Sequence, residues 1–534
     1  MPLMNEGGAF MSSGFQLCAC AIVAAVLSVV DLPVAWGASV YAPSGWASLH
    51  QSEANRRSQP VDLPTQYRSW TALQGAATLT VPTVGPDGHL YATTGQGRGH
   101  SNLHAFTLDG ALLWQAKPME NMNDLDGCAI LSSPIVDREG DVYISDCNQL
   151  WSFKPDGKVK WVVDLPAAPA GAHFQRPDFP INAFTTAVFT KDGDVLGVTN
   201  FGQVVVVDRA TGKPRADVVR LPGLIPPKST KYPLRDAILG FGLMDPGLRD
   251  WAWQLIFGGE MNSANTPAVD MRTGRIFVAV SSVAPGRGVL MGFDLKPRSD
   301  GKLTVEIAFS SDMGPGSGSS PTLSPDGRFA YVSDDDGMFY AFDTANGKRA
   351  WTVQTKAAAG AAAVGEDGTI VALQEVDAFA IAIDPNGHRL WESDIGNLVK
   401  AALPSRWYLG GPVARSTGNP VIVKGMVLEP VVYCYTLGWG KWRIPIPIRS
   451  AIVAIDMKTG KGIKEIVGLS DDSSGITAVL PDGTIINSLG SVLTSAVEPL
   501  AWLMNRLLPG PLKQLEARGG IQVSRPVRAS KDAM

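Results

Sequence analysis

The sequence predicts an all-β protein, a β-propeller of eight four-stranded blades. Three observations carry that prediction. A unit of short β-prone runs joined by Asp-Gly turns recurs along the chain. The period is near that of blade repeats: Trp114 to Trp161 is 161 − 114 = 47 residues, and Trp351 to Trp391 is 391 − 351 = 40. Glycine (57) and proline (38) are abundant while only 18% of the 534 residues are charged, a balance that suits turn-rich sheets better than helical bundles.

The best-preserved copy runs from Ser319 to Trp351. Pro325-Asp326-Gly327, Asp335-Asp336-Gly337 and Ala345-Asn346-Gly347 are turn signals between four short strands. One such sheet has bare faces and open edges, so it needs like neighbours.

The other copies supply them. The first has Val81-Pro82-Thr83, Pro86-Asp87-Gly88, Leu103 to Phe106 and Trp114. The second has Ser132 to Pro134, Val142-Tyr143, Trp151 to Phe153 and Trp161. The third turns at Asp192-Gly193 and reaches Val206 to Asp208 without a closing tryptophan. The fourth opens at Asn265 and includes Gly292-Phe293-Asp294. The sixth runs from Ala361 to Trp391, and the seventh from Gly418 through Ala454-Ile455-Asp456 to Lys461. The eighth starts at Gly475 and finds its third strand at Gly520 to Ser524, then lacks a fourth. Tyr67 to Trp70, stranded ahead of the first copy, fits that vacancy and would close the ring as an N-terminal strand joining the last blade.

The ring therefore spans residues 63–526, with 527–534 as a polar tail. Residues 1–37 hold an apolar run, Phe15 to Val30, expected to be a signal peptide cut before about Ala38, with an uncleaved membrane anchor as the rival reading. Residues 38–62 read as a linker. The expected localisation is exported, in the periplasm or cell envelope. Cys128 and Cys147 flank one hairpin, so an exported chain would join them in a disulfide, with two buried thiols as the alternative.

Three partly helical apolar insertions break the period: about 221–261, 427–448 and 492–515. They carry Trp251, Trp253, Phe257, Trp439, Trp442 and Trp502, which form a candidate interaction patch for a protein partner, a membrane surface or an apolar ligand. Packing together as a cap on the ring is the alternative. A net charge of −4 without a basic run argues against nucleic acid. No Cys/His cluster has metal-site spacing, and Asp334-Asp335-Asp336-Gly337 reads as a turn rather than a calcium loop. Gly95 to Gly99 lies in a hairpin with no helix after it, so it does not read as a phosphate loop. His100, His104 and His173 could meet only through the fold.

The run Ala341-Phe342-Asp343 with Gly347-Lys348 and Trp351 resembles the tryptophan-docking motif of β-propellers with pyrroloquinoline-quinone-like (PQQ-like) repeats. Ala382-Ile383-Asp384, Gly387 and Trp391 match it nearly as well, and the sets ending at Trp114 and Trp161 match in part. The resemblance covers about Tyr67 to Ser524 and implies the fold, with each tryptophan lying over a neighbouring blade. It is similar to two kinds of protein: the propeller lipoprotein of the barrel-assembly machinery, a scaffold, and quinoprotein alcohol dehydrogenases. The latter imply an adjacent Cys-Cys ring, calcium ligands and a catalytic Asp. No adjacent cysteine pair exists in the chain. The expected function is a non-catalytic envelope scaffold that binds a protein, with no catalytic, cofactor or metal residues assigned. A divergent PQQ- and calcium-dependent dehydrogenase and a binder of membranes or apolar ligands are the alternatives.

Overall fold

The computed structural model describes residues 39–170, 182, 184, 186–224, 265–315, 319–355, 361–374, 378–400, 410–416, 418–437, 444–490, 501–503, 505–507 and 513–527. All belong to one unit of the chain. They form eight blades around an axis, each a sheet of at least four strands joined by antiparallel hairpins. Blade one contains Thr83–Val84, Leu90–Thr93, Leu103–Phe106 and Leu112–Gln115. The next five follow the same order, with innermost strands Ile135–Val136, Val188–Phe189, Ala268–Val269, Thr322–Leu323 and Ala363–Val364.

Burial grades outward along each blade. The innermost strands are wholly buried, whereas the outermost are largely exposed: Leu112, Leu113 and Gln115 face solvent around the half-buried Trp114. That grading is what the sequence alternation encodes, because middle strands are covered on both faces and outer strands on one.

Blade eight is split. Tyr67–Ala72 pairs antiparallel with Gly520–Pro526, from Tyr67 opposite Pro526 to Ala72 opposite Ile521. Ile485–Leu489 and Ser473–Val479 complete it. In blade seven, residues 427–448 are not an insertion of separate structure. Most of them belong to two long paired strands, Met426–Leu437 and Ile444–Asp456. The alternating valines and isoleucines there continue the blade's own pattern beyond the usual length. Gly410–Arg415 pairs with the extended part.

The blades lock through aromatics. The indole Nε1 of Trp70 donates to Leu108 O (2.9 Å), Trp114 to Pro155 O (2.8 Å), Trp161 to Arg209 O (3.0 Å), Trp351 to Pro385 O (3.0 Å) and Trp391 to Met457 O (2.8 Å). Each ring lies on a glycine of the next blade: Gly110, Gly157, Gly212, Gly387 and Gly460, all at positive φ. A β-carbon at Gly157 would come within 2.7 Å of Trp114, so only glycine admits the ring. Asp384 caps the turn that presents Gly387, accepting from Asn386 N (2.8 Å), and Asp343 does the same for the turn of Gly347, accepting from Ala345 N (2.9 Å).

Between blades four and five Phe309 takes this place against Gly347. Blade three meets blade four through a backbone bridge, Ala216 beside Leu303, with Asp217 paired to Arg298 and Lys302. Blade seven meets blade eight through Gln522, which donates to Gly468 O (2.8 Å) and accepts from Ser470 N (2.9 Å).

Candidate functional site at the ring axis

Residues 39–61, read from sequence as a linker, run instead across the middle of the ring. The inner edge of each innermost strand has a backbone N–H with no strand beside it. Such groups need partners when buried. The segment provides them. Val84 N donates to Trp46 O (2.9 Å), Val136 N to Ala47 O (3.0 Å), Val269 N to Glu53 O (2.8 Å), Leu323 N to Ala54 O (2.9 Å), Val364 N to Arg56 O (2.9 Å) and Ile422 N to Arg57 O (3.0 Å). Phe189 N donates to the Tyr41 hydroxyl (3.1 Å). These donors lie in blades one to seven. The eighth is reached by packing, since Gly45 sits so close to Pro481 that a β-carbon would lie 2.5 Å from it.

Ser58–Gln59 then adds to blade seven as a parallel strand beside Val421–Val423, with Ser58 opposite Ile422 and Gln59 opposite Val423. Trp46, Ser48, His50, Asn55 and Arg57 are buried. The His50 Nε2 lies 3.1 Å from Ser320 Oγ. Burial, and secondarily the charge of Arg57, hold the His50 imidazole well below its ordinary range, so it is neutral. Asn55 Nδ2 donates to Pro321 O (2.9 Å), Pro267 O (3.1 Å) and Thr266 O (3.3 Å), joining blades four and five.

The segment lines a cavity of about 840 Å³ together with turn residues of blades two and six. Tyr41, Glu53, Arg56, Ser58, Arg138 and Glu366 are among its lining residues.

A second polar cluster lies between blades one and two. Cys128 and Cys147 are joined in a disulfide, with Cα atoms 5.2 Å apart. The buried Asp126 caps the short helix Gly127–Leu131, accepting from Cys128 N (2.7 Å). Asp146 accepts from Asn148 N (2.9 Å), Gln149 N (2.7 Å) and Trp151 Nε1 (3.0 Å). Burial and the neighbouring Asp126 push the Asp146 carboxyl well above its usual range. An Asp126 oxygen and the two sulfurs lie within 4.8 Å of one another, yet sulfurs bonded to each other are not thiolate ligands.

Asp334 is a turn residue: it accepts from Met338 N (2.8 Å) and from the Tyr340 hydroxyl (2.6 Å). His104 is buried on blade one while His100 is exposed, and His173 lies outside the described residues.

Trp251, Trp253, Phe257, Trp439 and Trp442 also lie outside the described residues. Trp502 lies in a helical stretch, 54% exposed beside Leu503 (46%) and Leu507 (67%), and the Arg506 guanidinium sits 4.0 Å from its ring centre. Among the described residues no helix is long and apolar enough to cross a membrane.

Residues 39–61 lie against the innermost strands at the axis, and the disulfide-linked Cys128 and Cys147 stand 19 positions apart in the sequence rather than adjacent.

Comparison with known proteins agrees with this architecture. The family model described as "Outer membrane protein assembly factor BamB" matches residues 252–487. BamB from Moraxella catarrhalis is 13% identical, with 87% of this chain and 100% of that one covered at a TM-score of 0.47. A europium-containing methanol dehydrogenase is 15% identical over 90% of this chain and 98% of its own, at 0.52. The quinohemoprotein alcohol dehydrogenase from Comamonas testosteroni is 12% identical over 93% and 83%, at 0.53. No curated protein matches the sequence. At these identities the likeness to solved structures is one of fold. The chain is an eight-bladed β-propeller that is similar to the assembly factor's family model over residues 252–487.

Proposed function

We propose that this protein is a non-catalytic scaffold of the cell envelope, a rigid ring that presents its faces to a protein partner. The observation that carries the reading is the axial segment. By bonding to the innermost strands of seven blades, residues 39–61 take the place where a ring of this kind has room for a small molecule. The match to the assembly-factor family over residues 252–487 supports the same reading.

Two measurements test it. Equilibrium dialysis of the purified protein against pyrroloquinoline quinone with calcium, followed by dye reduction with alcohols, is expected to show neither stoichiometric uptake nor turnover. One quinone bound per chain with turnover would replace the scaffold by the dehydrogenase. Chemical crosslinking in envelope preparations is expected to yield a discrete partner band.

A second reading rests on the exposed Trp502, Leu503 and Leu507 with Arg506 over the indole. Apolar side chains rimmed by a cation suit the boundary between water and lipid headgroups. Flotation with liposomes tests it: protein that stays below the lipid layer excludes a membrane role for this patch.

A further inference from the structure

We propose that residues 39–61 are a single cooperative clasp that seats and unseats as a unit, gating the ring axis. The inference goes beyond the scaffold reading and does not depend on it.

The bonding pattern is the first argument. Each of blades one to six gives the clasp only a few main-chain hydrogen bonds, so no one of them owns it. Its seat exists only when the blades stand in a ring. A contact spread over blades one to seven is gained or lost together, because pulling one carbonyl from its donor tilts the next out of line.

Backbone conformation is the second. Among the described residues five non-glycines have positive φ, and three of them are in the clasp: Gln51 (79°), Asn55 (58°) and Arg57 (50°). Left-handed backbone costs free energy at such residues and persists only where surroundings fix it. Here the fixing groups are visible. The Gln51 amide accepts from Ser58 N (2.8 Å) and donates to Ser58 O (2.6 Å), imitating a strand partner. Asn55 grips three carbonyls of blades four and five. Off the ring Asn55 loses those partners and the segment relaxes, so intermediate seatings gain little.

The hinge is the third. Asp62, Thr65 and Gln66 are exposed between the clasp and Tyr67–Ala72 of blade eight, and the pairs Asp62–Lys424 (2.7 Å) and Val527 N to Gln66 O (3.0 Å) hold this joint on the ring, so that the clasp can leave while the rim strand stays paired. Unseating would bare a circle of N–H groups and turn the closed disc into a passage.

Hydrogen exchange on the full-length protein, read by residue, tests the proposal. The amides of Val84, Val136, Phe189, Val269, Leu323, Val364 and Ile422 are expected to share one opening equilibrium and one denaturant dependence, although they belong to seven blades. Asn55→Ala is then expected to speed exchange about tenfold at all seven, including the distant Val84 and Val136. Acceleration confined to Val269 and Leu323 would overturn the proposal. So would seven unrelated denaturant dependences in the unmodified chain, a reading that needs no variant to fold.

Discussion

The indole of Trp70 lies against Gly110 and hydrogen-bonds Leu108 O at 2.9 Å, joining the last blade to the first. This joint repeats the contact of Trp351 on Gly387, but here, with the Arg525–Asp109 ion pair beside it, it closes the circle. Trp70 is also carried by a strand from the opposite end of the chain from its sheet partner, Gly520–Pro526.

Replacing Trp70 with alanine should therefore destabilise the ring by about 2–4 kcal/mol, somewhat under a fully buried tryptophan because the ring edge is partly exposed. Trp70→Phe should recover part of that, keeping the stack on Gly110 and losing the bond to Leu108. Urea unfolding of the three proteins checks the order wild type, phenylalanine, alanine.

His104 makes stability fall with acid. Burial lowers its pKa to about 4 from 6.5. Between those values the unfolded chain holds a proton that the folded chain does not, so stability drops as pH falls from 6.5 and levels off below about 4. His50, also depressed by burial, adds to the fall from 6.5 downward. In His104→Gln the dependence between pH 6.5 and 4 should flatten by up to one proton, about 1.4 kcal/mol per pH unit. Urea midpoints across that range, taken as differences from wild type, isolate the residue from the carboxylates.

The disulfide closes a short loop, its cysteines Cys128 and Cys147 being 19 positions apart in sequence. Cutting it by reduction or by Cys147→Ser should cost about 3 kcal/mol, mostly by freeing the unfolded chain. Thermal unfolding with and without reductant measures the loss; an unchanged midpoint would show that the bridge contributes nothing.

Serine at Trp502, Leu503 and Leu507 together should leave the unfolding midpoint within about 0.5 kcal/mol of wild type, because these side chains already face solvent. If the patch is where the partner or lipid docks, the crosslinked band or the flotation should disappear in the same variant.

Much of the ring is legible in the sequence because each blade states its pattern locally. The Asp-Gly turns, the alternation and the tryptophans sit within one repeat, so the resemblance to the docking motif of PQQ-like repeats picks out Trp114, Trp161, Trp351 and Trp391. The split blade is legible too, from a surplus strand at Tyr67 and a missing one after Gly520. Phe309 is not. The third hairpin of blade four, Arg287–Pro297 with Leu303–Asp312, is longer than its siblings, which moves the aromatic off the expected spacing.

The axial segment is illegible for a deeper reason. Its bonds are made by backbone carbonyls of Trp46, Ala47, Glu53, Ala54, Arg56 and Arg57, whose side chains need not match the donors. With its prolines and serines and its few large apolar residues the stretch has the composition of a connector. Only the ring tells it where to lie.

The pairing of Tyr67–Ala72 with Gly520–Pro526 has a temporal consequence. A ribosome releases the rim strand Tyr67–Ala72 early and its partner Gly520–Pro526 last. Every blade between can form as it emerges, but that strand must stay extended and unpaired until nearly all of blade eight has been made. Such distant pairing is slow, and the waiting strand exposes edges that invite aggregation. The nascent protein is thus expected to depend on a holding chaperone for its first residues rather than its last.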